Sequence, residues 1–287
     1  MNKATGRWPV LFLLPLLVMV MPGLPRADTA PPAIGILIDD MGKREETGQR
    51  VLTLPGAVAC AFLPRAGHTR RLAQQAWRMG HEILLHLPMA SVDQRPLDAG
   101  AVTLEMTRGE FERTVLDGLA RVPHAVGINN HMGSLLTRHP GHMRWLMELM
   151  RARGGLFFVD SRTTRHTVAL KTAREQGVAG TRRHVFLDNS LAVRDIDAQF
   201  DRLLRLAREQ GSALAIGHPY PQTLAVLERR LARLSAEGIR LLPLRELIEL
   251  QQEEHATWQA YSSPSRRDAR NSKPSLSSIC CGVPVSR

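Results

Sequence analysis

The feature that most constrains this chain is a repeated alternation between short apolar runs and amphipathic stretches. The runs, typical of buried strands, are AIGILID, AVACAFL, HEILLHL, AVGINN, GLFFVD, HVFLD, SALAIGH and IRLL. Between them lie segments such as TRGEFERTVLDGLARV and DIDAQFDRLLRLAREQG, whose apolar residues recur at helical spacing. Such units predict an α/β fold with parallel strands, either doubly wound or closed into a barrel. Seven or eight units favour a distorted (β/α) barrel of about seven units.

The N-terminal end of the chain departs from this pattern. Lys3 and Arg7 precede an apolar stretch at residues 10–21, and Ala27 follows a segment rich in Pro and Gly. This is the layout of a secretory signal with a small residue at the cleavage point. The stretch is shorter than the roughly 20 residues of a membrane-spanning helix. We expect residues 1–30 to be a signal peptide and short linker, and the protein to be exported to the periplasm. An uncleaved inner-membrane anchor is the alternative.

The C-terminal end also lacks an apolar period. Its Ser, Pro and Arg content predicts a disordered tail over residues 256–287, which leaves residues 31–255 as one domain. The ends hold much of the formal charge of +11 and leave about +5 on the domain. Aromatic residues make up 5% of the chain and no basic motif is interleaved with them, so we expect no nucleic-acid partner. An anionic cell-envelope polymer stays open.

Three cysteines do not form a disulfide framework. Cys60 lies within an apolar run and is best interpreted as a small buried hydrophobe. Cys280 and Cys281 are adjacent in the predicted tail and lack partners at metal-ligand spacing. The chain also lacks a phosphate-binding glycine loop and the Gly-x-Ser-x-Gly motif of serine hydrolases.

Chemistry-bearing side chains recur where the apolar runs end. Asp39 and Asp40 close the first run, and two adjacent carboxylates cost free energy unless a cation or a shared proton relieves them. An N-cap for the next helix is the simpler interpretation of Asp40 alone. The other run ends carry His86, Asn129, Asn130, His131, Asp160, Asp188 and His218. Because a parallel barrel gathers the carboxyl ends of its strands around one cleft, a shared site is favoured.

Six short motifs, in order, resemble those of one protein family. LIDDMG, GHEILLHLPM, GINNHMGS, FFVDSRTT, VFLDN and AIGHPYPQT are similar to motifs of the divergent polysaccharide deacetylases. That family is related to the carbohydrate esterases that remove acetyl groups from chitin-like and peptidoglycan sugars. The resemblance covers about residues 33–248. It implies a distorted barrel, a divalent metal, usually zinc, at the strand ends and an N-acetylated cell-envelope polysaccharide as substrate.

The resemblance also implies roles for individual residues. Asp39 corresponds to the catalytic base and Asp40 to a metal ligand, while His86 corresponds to the first ligand histidine. The ordinary deacetylases carry a second histidine four residues later, where this chain has Ala90, and His131 is the expected replacement. His218 corresponds to the late histidine that acts as general acid.

The carboxylate partner of His218 and the function of the protein each leave two alternatives open. Asp160 or Asp188 would fix the tautomer of His218 or balance Arg162, and Asp188 is also a turn former. One carboxylate and two imidazoles suit Zn²⁺ with an open fourth position. A metal-dependent amide hydrolase is therefore predicted, and a noncatalytic envelope protein that binds glycan or a partner through the same barrel is the alternative. The oligomeric state is left open.

Overall fold

The computed structural model describes residues 30–93 and 95–262, with side chains placed up to residue 254. The strands in this part of the chain are β1 (Ala33–Met41), β2 (Val58–Phe62), β3 (Ile83–Met89), β4 (Ala125–Met132), β5 (Phe157–Asp160), β6 (Gly180–Arg182), β7 (Val185–Phe186), β8 (Ser212–Gly217) and β9 (Arg240–Leu241). The helices are α1 (Glu45–Leu52), α2 (Thr69–Arg78), α3 (Arg108–Arg121), α4 (Pro140–Arg153), α5 (Ala169–Glu175), α6 (Val193–Gln210), α7 (Pro221–Leu231) and α8 (Leu244–Ser262). The predicted signal peptide and residues 263–287 lie outside the described residues, and α8 runs on into the segment predicted as tail.

The strands form one parallel sheet. Their order is β6-β5-β4-β3-β2-β1-β8-β7, with β9 beside β1. Strand β6 pairs with β5. After only two residues, Arg183 and His184, the chain continues as β7, which pairs with β8. The N–H of Arg183 donates to Asp160 O, and the N–H of His184 donates to Leu214 O, each at 2.9 Å. Arg183 and His184, rather than hydrogen bonds between the strands, join β6 to β7, so the eight strands of this order form a distorted, incompletely closed parallel barrel, which confirms the predicted fold.

The two faces of the sheet pack into two separate apolar cores. On β1, Ile34, Ile36 and Ile38 point outward into the layer beneath the helices, whereas Ala33 and Leu37 point into the barrel. The barrel interior is filled by small and branched side chains together with Phe157, and Leu244, Leu247 and Ile248 of α8 join them. Helix α8 therefore closes the amino end of the barrel, and the carboxyl end is left for polar side chains.

The backbone is unusual at that carboxyl end. Asp40, Met132 and Arg162 adopt the left-handed conformation, with φ of 57°, 54° and 48°. These residues lie at or just beyond the ends of β1, β4 and β5, and non-glycine residues seldom adopt this conformation without a compensating gain. The strain is concentrated around the rim where the polar side chains meet.

Within the described residues, no helix is both long enough and apolar enough to cross a bilayer.

Candidate active site

The inward-facing positions at the carboxyl end of the barrel carry the polar side chains that the sequence singled out. Asp39 continues the inward face of β1, and His86 of β3 lies directly opposite Asn129 of β4. Asp39, His86 and Asn129 are 4%, 1% and 0% exposed. Alternation along the strands places these polar residues on the same inward face as the apolar residues below them. Buried polar groups at this depth require partners, and each of these residues has one.

Asp40, His86 and His131 converge on one point. The distance from Asp40 Oδ1 to His131 Nδ1 is 3.1 Å, and the distance to His86 Nε2 is 3.4 Å. The two imidazole nitrogens lie 3.1 Å apart. Ligands at the usual zinc distances in a tetrahedral shell are about 3.3 Å from one another, so these spacings fit a common metal ion. The three residues form a candidate metal centre.

Neighbouring groups orient both imidazoles toward that point. The Asn129 amide donates through Nδ2 to Asp39 at 2.8 Å, so its Oδ1, 2.9 Å from His86 Nδ1, accepts a hydrogen bond from the N–H of that nitrogen. His131 Nε2 lies 3.0 Å from Asp98 Oδ2, at ion-pair distance, and this carboxylate favours a proton on that nitrogen. In the neutral rings the lone pairs of His86 Nε2 and His131 Nδ1 therefore both face Asp40 Oδ1.

The donor set fits a cation better than a hydrogen-bonded cluster. Asp40 Oδ1 is buried and has no hydrogen-bond partner among the described residues. An unpartnered carboxylate oxygen facing two imidazole lone pairs is costly unless a positive charge relieves it. Burial raises the pKa of Asp40, but hydrogen bonds and positive charge from His131 and His86 in their protonated forms outweigh that effect and hold it far below its usual range. Beside neutral rings, a bound cation would take the place of that charge. The carboxylate is therefore ionised, as a metal ligand must be.

Asp39 occupies a drier position beside this centre. Its Oδ1 accepts from Asn129, and its Oδ2 lies 3.6 Å from His86 Nε2. Burial raises the pKa of Asp39, and the opposing effects of His86 and His218 do not cancel that rise. A carboxylate with a raised pKa is a better proton acceptor than one in water. The surroundings thus raise the pKa of Asp39 and lower the pKa of Asp40, although the two residues are adjacent.

His218 faces the cleft from the other side with a buried carboxylate behind it. Its Nδ1 lies 3.0 Å from Asp188 Oδ1, and Asp188 Oδ2 accepts from the backbone N–H of His218 and from Thr223. Burial lowers the pKa of His218, but Asp188 and Asp39 raise it by more, so it lies above its usual value. Of the two carboxylates proposed to partner this histidine, the structure selects Asp188.

Asp160 is not brought into the cluster. It accepts from the Arg162 backbone N–H at 2.8 Å and from Thr167 at 2.9 Å, and no contact links it to His218 or Asp39. The contacts therefore give no support to Asp160 as the partner of His218, whereas the predicted balance of Arg162 agrees with the electrostatic interaction between these two residues. Its contacts instead hold the left-handed turn after β5.

Sequence reasoning missed the residues that orient the ligands. Asp98 lies in the long segment between β3 and α3, where no periodic pattern marks it, and Lys43 bridges it to Asp40 at 3.6 and 3.1 Å. The sequence marks Asn129 as a strand-end residue but indicates no role for it. Its position directly across from His86, at the same inward level, is the signal that identifies it.

The fold and the site together define a class: parallel (β/α)-barrel proteins with a candidate metal centre and an acid–base pair at the carboxyl ends of the strands. Residues 36–248 match the family model described as divergent polysaccharide deacetylase. Since this match spans most of the chain, the chain belongs to the divergent polysaccharide deacetylase family, as the motifs predicted.

The chain is also similar in sequence to two other proteins and in fold to a solved structure. The chain is 42% identical over 201 residues to the uncharacterized protein YibQ of Escherichia coli K12, covering 70% of this chain and 63% of that protein. It is 38% identical over 214 residues to an uncharacterized Haemophilus influenzae protein, covering 75% and 76%. The fold resembles that of the uncharacterized protein ATU2773 from Agrobacterium tumefaciens C58, with a TM-score of 0.73, 20% identity and coverage of 78% and 92%.

Proposed function

We propose that this protein is an exported, metal-dependent hydrolase that removes N-acetyl groups from a cell-envelope polysaccharide. The observation that carries the proposal is the convergence of three ligand atoms on one point beside a buried acid–base pair. Export to the periplasm rests on the charge and apolar layout of residues 1–30. The substrate class follows from membership of the deacetylase family.

Asp40, His86 and His131 would hold the divalent metal, for which Zn²⁺ suits one carboxylate and two imidazoles. When bound, such a metal supplies a Lewis acid and lowers the pKa of water toward about 7. Asn129 and Asp98 keep the two imidazoles in the tautomers that ligation needs. This chain thus holds a complete set of three ligands without a histidine at position 90.

Asp39 and His218 divide the proton transfers of amide hydrolysis. Asp39, whose pKa is raised by burial, accepts a proton from the attacking water. His218, whose pKa is raised by Asp188 and Asp39, carries a proton that it donates to the departing sugar amine. Hydrogen bonds from Asn129 to Asp39 and from His218 to Asp188 fix both groups in position.

One observation favours a second candidate function. Ala90 occupies the place of the second ligand histidine, and its backbone is engaged with Val102, Leu135 and Leu136. A barrel that has lost an ordinary ligand is compatible with a noncatalytic envelope protein that binds glycan strands. Acetate release from N-acetylated chitooligosaccharides and peptidoglycan fragments by the metal-loaded protein separates the two. Glycan binding without any acetate release contradicts the hydrolase and supports the binding protein.

Substitution of the two aspartates tests their separate roles. Asp40→Asn should lose the metal, measured by elemental analysis after dialysis, because a neutral amide is a poor ligand for a dication. Asp39→Asn should retain the metal and lose turnover by about 10²- to 10⁴-fold, as expected for removal of a general base. The reverse pattern, with Asp39→Asn emptying the site and Asp40→Asn leaving it filled, contradicts the assignment.

A further inference from the structure

A second cavity adjoins the candidate active site. It has a volume of about 410 Å³ and is bounded by the turn after β5, by the β6–β7 crossover and by α6. Its charged side chains are Arg162, Arg165, Arg183 and Arg202, and no carboxylate lines it. Four guanidinium groups around one cavity form a strongly electropositive site, which we name the arginine pocket.

The arginines of this pocket lack ionic partners. Among the described residues, none of the four arginines lies within ion-pair distance of a carboxylate. By contrast, Arg230 of α7 pairs with Asp197 and Asp201 of α6. Arg183 is half-buried and spends two donors on backbone carbonyls, Ser161 O at 2.6 Å and Arg162 O at 2.9 Å. Its remaining N–H groups and the exposed head of Arg202 are left for a ligand. The exposed Arg165 donates through Nε to His166 Nε2 at 3.2 Å, and its terminal N–H groups are left for a ligand.

The local electrostatics agree with an excess of positive charge at the cavity. Burial lowers the pKa of Arg183 and Arg162 lowers it further, and the opposing effects of Asp39, Asp160 and Asp188, which lie outside the lining, do not cancel that shift. His184, which also lines the pocket, accepts the Leu214 N–H through Nδ1 and is neutral, since burial and the nearby arginines lower its pKa to about 4. A bound anion would relieve this repulsion and receive charge-assisted hydrogen bonds from several guanidinium forks.

The pocket is close enough to the acid–base pair to contact the same substrate. Phe186 forms the wall between them: the Arg183 guanidinium lies 4.6 Å above its ring centroid, and the His218 ring centroid is 5.4 Å away. Asn189, which follows the His218 partner Asp188, also lines the pocket. An anionic substituent bound there would belong to the sugar undergoing reaction or to an adjacent sugar.

We propose that the arginine pocket is a subsite for a phosphate or carboxylate group carried by the glycan substrate, so that the protein acts on an anionic rather than a neutral N-acetylated polymer. The choice of a glycan as carrier of the anion rests on the proposed function. The presence of an anion site rests on the pocket itself.

Calorimetry on the full chain carrying Asp39→Asn, which prevents turnover, tests the subsite. The probes are three N-acetylglucosamine oligosaccharides of equal length: one neutral, one with a 6-O-carboxymethyl group and one with a 6-O-phosphate. We expect at least one anionic probe to bind about tenfold or more tightly than the neutral one, and to weaken as salt is raised. The anionic probe that binds more tightly identifies the group recognised by the arginine pocket as phosphate or carboxylate. Equal binding of all three probes overturns the proposal.

A matched pair of variants locates the effect. Arg165→Gln/Arg202→Gln removes two exposed pocket arginines, and Arg151→Gln/Arg205→Gln removes the same charge from exposed arginines elsewhere on α4 and α6. The pocket variant should lose the preference for the anionic probe, and the control should keep it. Loss in both variants, or in neither, contradicts the subsite.

The outcome is separate from that of the proposed activity. Selective anionic binding that depends on the pocket, without acetate release by the parent chain, supports the subsite and contradicts the hydrolase. Equal acetate release from neutral and anionic probes, unchanged in the pocket variant, supports the hydrolase and contradicts the subsite.

Discussion

Asp98 shows how a partly exposed residue controls a buried centre. Its carboxylate lies 3.0 Å from His131 Nε2 and favours a proton on that nitrogen, which leaves Nδ1 free for ligation. Groups that orient a ligating histidine typically contribute 10- to 100-fold to metal affinity. We therefore expect Asp98→Ala to weaken zinc binding by about that factor, measured by competition with a chelator of known affinity.

Asp93→Ala is the matched control for this change. Asp93 lies in the same connection between β3 and α3, is exposed, and pairs with Arg95 rather than with a ligand. Its replacement should leave the zinc affinity unchanged. Equal losses in the two variants would show that the connection as a whole, and not the bond to His131, sets the affinity.

The pair formed by His218 and Asp188 predicts a pH-dependent stability. The pKa of His218 is raised in the folded protein above its ordinary value of 6.5. Its stabilising effect is therefore fully present below about pH 6.5 and is lost as the pH rises through the folded pKa. We expect His218→Gln to reduce the free energy of unfolding more at about pH 5.5 than at about pH 9, measured by urea denaturation.

Nuclear magnetic resonance titration of the imidazole provides the independent check. The pKa of His218 should lie above 6.5 in the parent chain and fall in Asp188→Asn, because the carboxylate that favours the protonated ring is gone. An unchanged pKa in Asp188→Asn would assign the shift to Asp39 instead.

Among the elements, α8 is the one whose contribution the sequence alone conceals. Its first turns insert Leu244 and Leu247 into the amino end of the barrel, against Gly35 of β1. A Cβ at position 35 would lie 2.7 Å from Leu247 Cδ2 and 2.9 Å from Leu244 Cδ2. Glycine at this position therefore lets the helix close the barrel.

Gly35→Ala should accordingly destabilise the protein by about 1–3 kcal/mol, the usual cost of overpacking a core. The measurement is the free energy of unfolding in urea, with Gly67→Ala as the control, because a Cβ there meets nothing within 4 Å. The control should change stability by less than about 0.5 kcal/mol. A similar small effect at both positions would mean that α8 adjusts without cost.

The β6–β7 crossover shows why short elements escape sequence patterns. The strand HVFLD was expected, but the three-residue strand Gly180–Arg182 was not, because three residues establish no period. Its strand conformation depends on pairing with β5, which is distant in the sequence. The same crossover brings Arg183 and His184 into the arginine pocket.

For the molecule as a whole, the composition of the C-terminal segment predicts that it contributes little to stability. Residues 263–287 are rich in Ser, Pro and Arg and have no apolar period with which to bury area. Their deletion should shift the melting temperature by less than about 2 °C, a change equivalent to at most about 1 kcal/mol for a domain of this size. A larger decrease in calorimetry would show that the segment docks on the barrel.

The sequence by itself determined the alternation of strands and helices, and with it the barrel and the rim on which Asp39, Asp40, His86, His131 and His218 lie. The strands and helices follow from periodicity, which is a property of local sequence, and the common direction of the strands follows from the helix that connects each strand to the next. The family motifs added the expected roles, and the geometry of Asp40, His86 and His131 is compatible with them.

Only the tertiary structure decided which groups became partners. Asp188 rather than Asp160 supports His218, Asp98 orients His131, and four arginines from three segments surround one cavity. Each of these contacts joins residues 30 or more positions apart or depends on how loops pack over the rim. Hydrogen bonds and charge interactions act over a few ångströms, so such partners are set by the path of the folded chain and not by their spacing along it.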